Sequence, residues 1–188
     1  MDNPFDKTGA RKYFLAKRGA MTDTERAEVS RRLCEGILSL EQFASADVVL
    51  VYYPTKNEPD LLHVANVALS LGKRVAFPIS NTADLTLTFG EITSTNQLQA
   101  GAYGIPEPEA NPPKLSPNSL CIVPALAADK QGFRLGYGKG YYDRFLADFD
   151  GVSVCALPSS HLCEKLPTEA TDIPVDIIIT QTGVIYTK

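Results

Sequence analysis

Apolar residues along this chain gather into short continuous runs, and the stretches between the runs carry apolar residues at helical spacing. The run Val48-Val49-Leu50-Val51-Tyr52-Tyr53 has no polar face, as expected of a strand covered on both sides in a parallel sheet. Upstream, Thr22-Asp23-Thr24-Glu25 has the form of a capping box and predicts a helix start near residue 23. Val29, Leu33, Ile37 and Leu40 then mark one apolar face that continues to Phe43. A second helix is predicted from about Asp60 to Leu71, with Gly72 as its C′ residue. Val75 to Ile79 returns as a strand, and a strand-helix-strand unit of this kind is right-handed. Further strands are predicted near Leu85–Phe89, Leu120–Val123, Val152–Ala156 and Ile177–Thr180, with Val184–Tyr186 as a final one. The alternation predicts an α/β fold. It takes the form of a single domain over residues 1–188, a three-layer open, mostly parallel sheet with helices on both faces. Five prolines between Pro106 and Pro117 predict a stiff, irregular connection and not a domain boundary.

Open sheets of this class bind ligands beyond the carboxyl ends of their strands. Two segments fall there. Tyr53 to Glu58 follows the first strand, and a glycine-rich loop follows the strand that ends at Val123. Gly132 to Gly140 holds four glycines (Gly132, Gly136, Gly138, Gly140) and two cations (Arg134, Lys139). Without a Cβ, backbone N–H groups approach a ligand closely, and successive N–H groups form a concave anion nest. The amphipathic stretch from Tyr141 to Leu146 suits a helix whose N-terminus favours phosphate. The loop is neither of the familiar phosphate motifs. Gly140 follows Lys139 where a P-loop carries Ser or Thr, and Tyr141 replaces the third glycine of a dinucleotide fingerprint. A connecting turn without ligand is the plain alternative; two cations and Asp143 among the glycines weigh against it.

Composition narrows the ligand. A chain of 188 residues with a net charge of −4 is a poor partner for nucleic acid or anionic membranes, so a local cationic pocket points to a small anion. No apolar run approaches the ~20 residues of a membrane span, and MDNPFDKTGARKYF lacks the apolar centre of a signal peptide, so a cytoplasmic protein is expected. Cys34, Cys121, Cys155 and Cys163 show no paired spacing, and with His63 and His161 they make a zinc site improbable.

The segment RLGYGKGYYDR, preceded by VPALAAD, closely resembles the signature of the 5-formyltetrahydrofolate cyclo-ligases, also called methenyltetrahydrofolate synthetases. Weaker likeness extends to both ends of the chain. Lys7 and Arg11 have the family's Lys-x-x-x-Arg spacing ahead of Ala20-Met21 and Glu25-Arg26; Tyr53-Pro54 and Glu58 follow, then Tyr103-Gly104-Ile105-Pro106-Glu107-Pro108 and a late aspartate, Asp176. Tyr137 departs from the pattern, since the position is basic in some members, and charge on the ligand must then be met elsewhere.

The resemblance implies closure of 5-formyltetrahydrofolate to 5,10-methenyltetrahydrofolate while ATP becomes ADP and phosphate. A formamide oxygen is a poor leaving group, so its phosphorylation lets N10 attack the formyl carbon and expel phosphate. Such chemistry needs positioning and charge neutralisation more than a protein nucleophile. Lys139 and Arg134 are then the catalytic cations. ATP is assigned to Lys7, Arg11, Arg134, Leu135, Gly136, Tyr137, Gly138, Lys139, Gly140, Tyr141 and Tyr142. The folate is assigned to Tyr53, Glu58, Tyr103, Tyr137, Gly138, Lys139, Gly140 and Tyr141. Glu58 can accept from a pterin's N–H edge, and tyrosines can enclose its ring. Magnesium takes one or two carboxylates plus phosphate oxygens. Asp143 beside the loop is the first candidate ligand and, by resemblance, Asp176 the second, with Asp172 competing for that place; Asp143 capping the following helix is the alternative. A monomer acting on small molecules is expected, with no nucleic-acid or membrane partner. A phosphosugar isomerase or CoA-transferase-like enzyme on a similar fold, or a non-catalytic nucleotide or folate binder, are the rival readings.

Overall fold

The computed structural model describes residues 6–55 and 57–187. In chain order the elements are α1 (Lys7–Gly19), α2 (Asp23–Leu38), α3 (Glu41–Ser45), β1 (Val48–Leu50), α4 (Leu62–Ser70), β2 (Arg74–Asn81) and β3 (Thr86–Ile92). There follow β4 (Gln99–Ala100), β5 (Pro106–Glu107), β6 (Leu120–Val123), β7 (Ala127–Asp129) and β8 (Arg134–Leu135). The last are α5 (Tyr141–Ala147), β9 (Val152–Ala156), β10 (Leu162–Cys163), β11 (Ile177–Thr180) and β12 (Gly183–Tyr186).

Seven strands form the main sheet in the order β12-β11-β9-β6-β1-β2-β3. The inner five are parallel, and β3 and β12 are antiparallel edges. Because side chains alternate along a strand, each parallel strand feeds two cores. Val49, Val75, Ile122, Val154 and Ile179 face Leu33, Ile37, Val64 and Ala68 of α2 and α4. Val48, Leu50, Cys121, Cys155 and Ile178 face Leu146, Tyr142 and Phe145 of α5. The expected three-layer sandwich is what these two buried faces require. Gly36 lets α2 lie close to the sheet, since a Cβ there would stand 2.8 Å from Ile179 Cγ2.

Local signals explain the helix ends. Thr22 and Glu25 exchange both hydrogen bonds of the capping box. Lys73 N–H donates to Ala68 O and Gly72 N–H to Leu69 O, with Gly72 at φ +73°, so α4 closes in a Schellman motif. One expectation needs correction: the helix predicted from residue 23 to Phe43 is two helices. Ser39 ends α2, and Leu40, buried at 4% exposure, begins α3 from the cap position, so an apolar residue on the right face belongs to a break and not to a turn.

A three-stranded sheet, β10-β7-β8, stands beside the main one and carries α1. Ala10 and Phe14 of α1 pack on Leu126, Ala127, Leu135 and Leu166. The proline-rich connection lies along the edge of β3: Glu91 N–H donates to Asn111 O at 2.8 Å, and a Cβ on Gly90 would lie 2.2 Å from Glu109 O.

His161, wholly buried, packs against Phe14 of α1 with ring centroids 5.6 Å apart. Burial pushes its imidazole down to about 4. A base whose folded pKa is depressed binds more protons when unfolded, so stability falls as pH drops from about 6.5 toward 4. The loss over that window reaches about 3 kcal/mol. We expect the unfolding midpoint to fall between pH 7 and pH 5 and the decline to be shallower in His161→Phe; equal pH slopes in the two proteins would show that His161 does not carry it.

Candidate functional site

A cavity of about 1120 Å³ opens at the carboxyl ends of β1, β2 and β6, where Tyr53, Ser80 and Pro124 line it. The glycine loop closes one side, and Lys7 and Arg11 reach in from α1. Every residue nominated from the sequence lines this cavity except Asp176. Lys7 and Arg11 lie four apart on one face of α1, as their spacing required.

The loop is held by guanidinium groups. Gly138 and Gly140 have φ of +93° and +68°, the left-handed region that only glycine enters cheaply. Arg11 Nε donates to Gly136 O at 2.9 Å. Arg144 donates through Nη2 to Lys139 O at 2.5 Å and through Nε to Leu85 O at 2.9 Å, tying the loop to the β2–β3 turn. A Cβ on Gly138 would sit 3.1 Å from the Arg11 guanidinium carbon, so the glycine also makes room for its own tether. Lys139 is exposed at the loop's apex, and its ammonium has no hydrogen-bond or ion-pair partner among the described residues.

Arg134 is set differently. Its side chain is 4% exposed, with Nη1 donating to Ile173 O at 2.6 Å and Nη2 to Asp143 Oδ1 at 3.1 Å. Ile173 N–H donates to the same Asp143 oxygen at 3.2 Å. Arg134 therefore braces β8, α5 and the segment before β11. Its two terminal nitrogens are both engaged within the protein, whereas the sequence pattern aimed them at phosphate. Asp143 is not the cap of α5. Gly140 holds that position without a side-chain hydrogen bond.

The carboxylates divide in a way the sequence did not show. Asp172 lines the cavity and accepts from Lys7 Nζ through both oxygens at 2.8 and 2.7 Å, with Glu169 Oε2 at 3.3 Å from the same ammonium. Asp176 sits at the opening of β11, where its Oδ2 accepts from Ser153 N–H at 2.8 Å and Ser153 Oγ at 2.6 Å. Residue 176 precedes the strand and so marks its amino end, away from the carboxyl ends that frame the cavity. Among the described residues no group of three His, Cys, Asp or Glu side chains is placed to hold a metal ion. Asp143 lines the cavity with the loop, its Oδ1 taken by Arg134 and Ile173 and its Oδ2 without a hydrogen bond among the described residues, so one carboxylate oxygen remains that could hold a divalent cation.

Glu58, also in the cavity lining, is buried at 6% exposure. Its Oε2 accepts from Thr55 N–H at 2.8 Å and Thr55 Oγ1 at 3.1 Å, and its Oε1 accepts from the Tyr137 hydroxyl at 3.0 Å. Burial and the neighbouring Glu58 charge push the Tyr137 phenol up to about 12, so it stays a donor. Tyr103 and Tyr141 meet hydroxyl to hydroxyl at 3.0 Å with rings near perpendicular, and that bond is the main cause of the Tyr141 phenol rising to about 12. Tyr142 lines the cavity, and its hydroxyl is buried without a hydrogen-bond partner among the described residues. Sequence reasoning missed Arg18 and Arg144. The second stands in the quoted motif and had a signal; the first stands in a Lys-Arg pair at a helix end, which reads as solvated surface.

A sequence model of the 5-formyltetrahydrofolate cyclo-ligase family matches residues 4–181. The chain is 28% identical to the 5-formyltetrahydrofolate cyclo-ligase of Mycolicibacterium smegmatis over 95% of each chain. It is 27% identical to that of Escherichia coli over 89% of this chain and 96% of the relative. Among solved structures it resembles the 5,10-methenyltetrahydrofolate synthetase of Aquifex aeolicus at TM-score 0.83 and 33% identity, covering 97% of this chain and 93% of that one. The corresponding protein from Mycoplasma pneumoniae shares the fold at TM-score 0.74 and 22% identity, over 94% and 99% of the two chains.

The Arg134 brace gives a direct expectation. Lysine keeps the charge but is a compact ammonium on a flexible stem, and cannot replace the planar fork that spans Ile173 O and Asp143. Arg134→Lys should cost about 1–3 kcal/mol in urea unfolding through a buried acceptor left unsatisfied. A midpoint equal to that of the parent protein would show that the brace carries no stability.

Proposed function

The chain belongs to the 5-formyltetrahydrofolate cyclo-ligase family, and from that premise we propose that it closes 5-formyltetrahydrofolate to 5,10-methenyltetrahydrofolate while ATP becomes ADP and phosphate. The observation that carries this reading is one cavity lined by two chemistries. A glycine loop with Lys139, Lys7 and Arg11 around it meets a buried carboxylate, Glu58, among tyrosines. The first suits a polyphosphate, and the second a ring with an N–H edge.

In the proposed reaction the formyl oxygen attacks the γ-phosphorus of ATP and ADP leaves. The O-phosphorylated formamide is an activated iminium carbon. N10 adds to that carbon and loses its proton, and the C–O bond breaks to release phosphate. Glu58 would orient the pterin and Tyr53, Tyr103 and Tyr141 would enclose it. The N–H groups of the loop and the ammonium of Lys139 would meet charge as it moves toward ADP. Lys7 and Arg11 would flank the nucleotide, Lys7 partly neutralised by Asp172. Arg134 would act by holding Asp143 and Ile173 in place. Magnesium, entering with the nucleotide, would supply charge neutralisation between phosphate oxygens, with Asp143 as its protein ligand. Holding both reactants in line can supply ~7–11 kcal/mol of the barrier. A chain whose residues only position and neutralise is therefore sufficient.

Two outcomes are expected. Methenyltetrahydrofolate absorbs near the visible edge, and its formation from 5-formyltetrahydrofolate should require both ATP and a divalent cation. Turnover that persists without ATP, or after complete chelation, contradicts the reading. In a second experiment, Lys139→Ala should lower kcat by about 10²–10³-fold, since a preorganised cation at the migrating charge acts mainly in the transition state. Its KM for the folate should stay close to that of the parent protein. A wild-type kcat in that variant removes Lys139 from the chemistry.

A further inference from the structure

Arg18 lies in the last turn of α1 and is 1% exposed, yet it has no carboxylate within ion-pair distance among the described residues. Burying a guanidinium without a counter-ion is costly unless hydrogen bonds answer it. Its Nη1 donates to Ala125 O at 3.4 Å, and its Nη2 donates to the Tyr137 hydroxyl. The guanidinium carbon also stands 5.8 Å from the Tyr137 ring centroid. That hydroxyl in turn donates to Glu58 Oε1 at 3.0 Å. Cation, phenol and carboxylate thus form one chain, in which each hydrogen bond polarises the next. The chain runs from Arg18, which is not in the cavity lining, to a carboxylate that is.

We propose that Arg18 is a positioning residue for folate recognition: acting through the Tyr137 hydroxyl, it fixes the Glu58 carboxylate that receives the pterin's N–H groups. The proposal rests on the role of Glu58 in the proposed function. It separates the carboxylate from the loop backbone, which has its own tethers. Arg11 on Gly136 O and Arg144 on Lys139 O remain when Arg18 is changed. The loss therefore falls on the orientation of Tyr137 and Glu58 and leaves the loop tethers intact. The geometry also answers the departure at position 137. A cation reaches this part of the cavity from α1, relayed through a tyrosine.

The test compares Arg18→Met, Arg18→Lys, Tyr137→Phe and the Arg18→Met/Tyr137→Phe double variant with the parent protein, with kcat, the folate KM and the ATP KM measured for each. Arg18→Met and Tyr137→Phe should each raise the folate KM by about tenfold, the scale of one charge-assisted hydrogen bond. The double variant should be no worse than either single one, because both break the same chain. Arg18→Lys should recover part of the loss, and the ATP KM in the Arg18 variants should stay within about twofold of the parent value. A merely structural role would lower the thermal midpoint without this split. Unchanged folate KM in Arg18→Met, or multiplied effects in the double variant, overturns the proposal. Should Arg18→Met not fold, Tyr137→Phe decides, and an unchanged folate KM there overturns it equally. Absence of ATP-dependent turnover in the parent protein would instead overturn the reading of the reaction, and this proposal with it. Parent turnover with unaltered variants defeats the role of Arg18 alone.

Discussion

A glycine-rich loop cannot hold its own shape, and the site depends on how this one is held. Glycine residues lose more conformational freedom on ordering than any other residue, so the cradle exists only where something else fixes it. Here the fixing groups are guanidinium side chains reaching loop carbonyls and loop neighbours from three directions. Arg11 comes from α1, Arg144 from α5 itself, and Arg134 from the strand that feeds the loop. Each spends donors on protein oxygens while its residue still lines the cavity. The one loop cation without a partner among the described residues is Lys139.

The sheet supplies the rest. Five parallel strands buried on both faces leave ligand room at their carboxyl ends, and the first loop there, Tyr53 to Glu58, gives the cavity its buried carboxylate. The small sheet β10-β7-β8 seats α1, through Leu126, Ala127 and Leu135 against Ala10 and Phe14. Seating α1 brings Lys7, Arg11 and Arg18 to three different places on the site with one helix. Lys7 meets Asp172, Arg11 the loop, and Arg18 the back of Tyr137.

Much of this was legible in the sequence. The strands β1 and β6 and the Ile177–Ile179 part of β11 are continuous apolar runs because both of their faces are buried, whereas a strand with one wet face would alternate with polar residues. The glycine loop was legible because its residues have no use in a helix or strand. The small sheet was not, since strands of two or three residues such as β8 and β10 are too short to show a period. The break at Ser39 was hidden because Leu40 is apolar in both arrangements. Arg18 was hidden by chemistry: a basic residue is read as exposed, and only the packing of α1 on Leu166 and Leu126 shows that it is not. Asp176 was placed at the site by likeness alone, and the structure gives it to Ser153. Asp172, equally near in sequence, is the one in the cavity, because the segment before β11 runs from one end of the sheet to the other.

The proline-rich connection has a bearing on what this molecule does among its copies. An open sheet ends in two rows of backbone groups, and an uncovered row is a template on which another chain can add a strand. On the β3 side that row is answered by the connection itself, with Asn111 O on Glu91 N–H and Gly90 making space for Glu109 O. The covering segment holds Pro106, Pro108, Pro112, Pro113 and Pro117, none of which has an N–H to offer outward. A covering strand of ordinary residues would only have moved the template one chain further out. Proline offers no donor on which a further strand could pair, so the segment that covers β3 is itself a poor template for another copy.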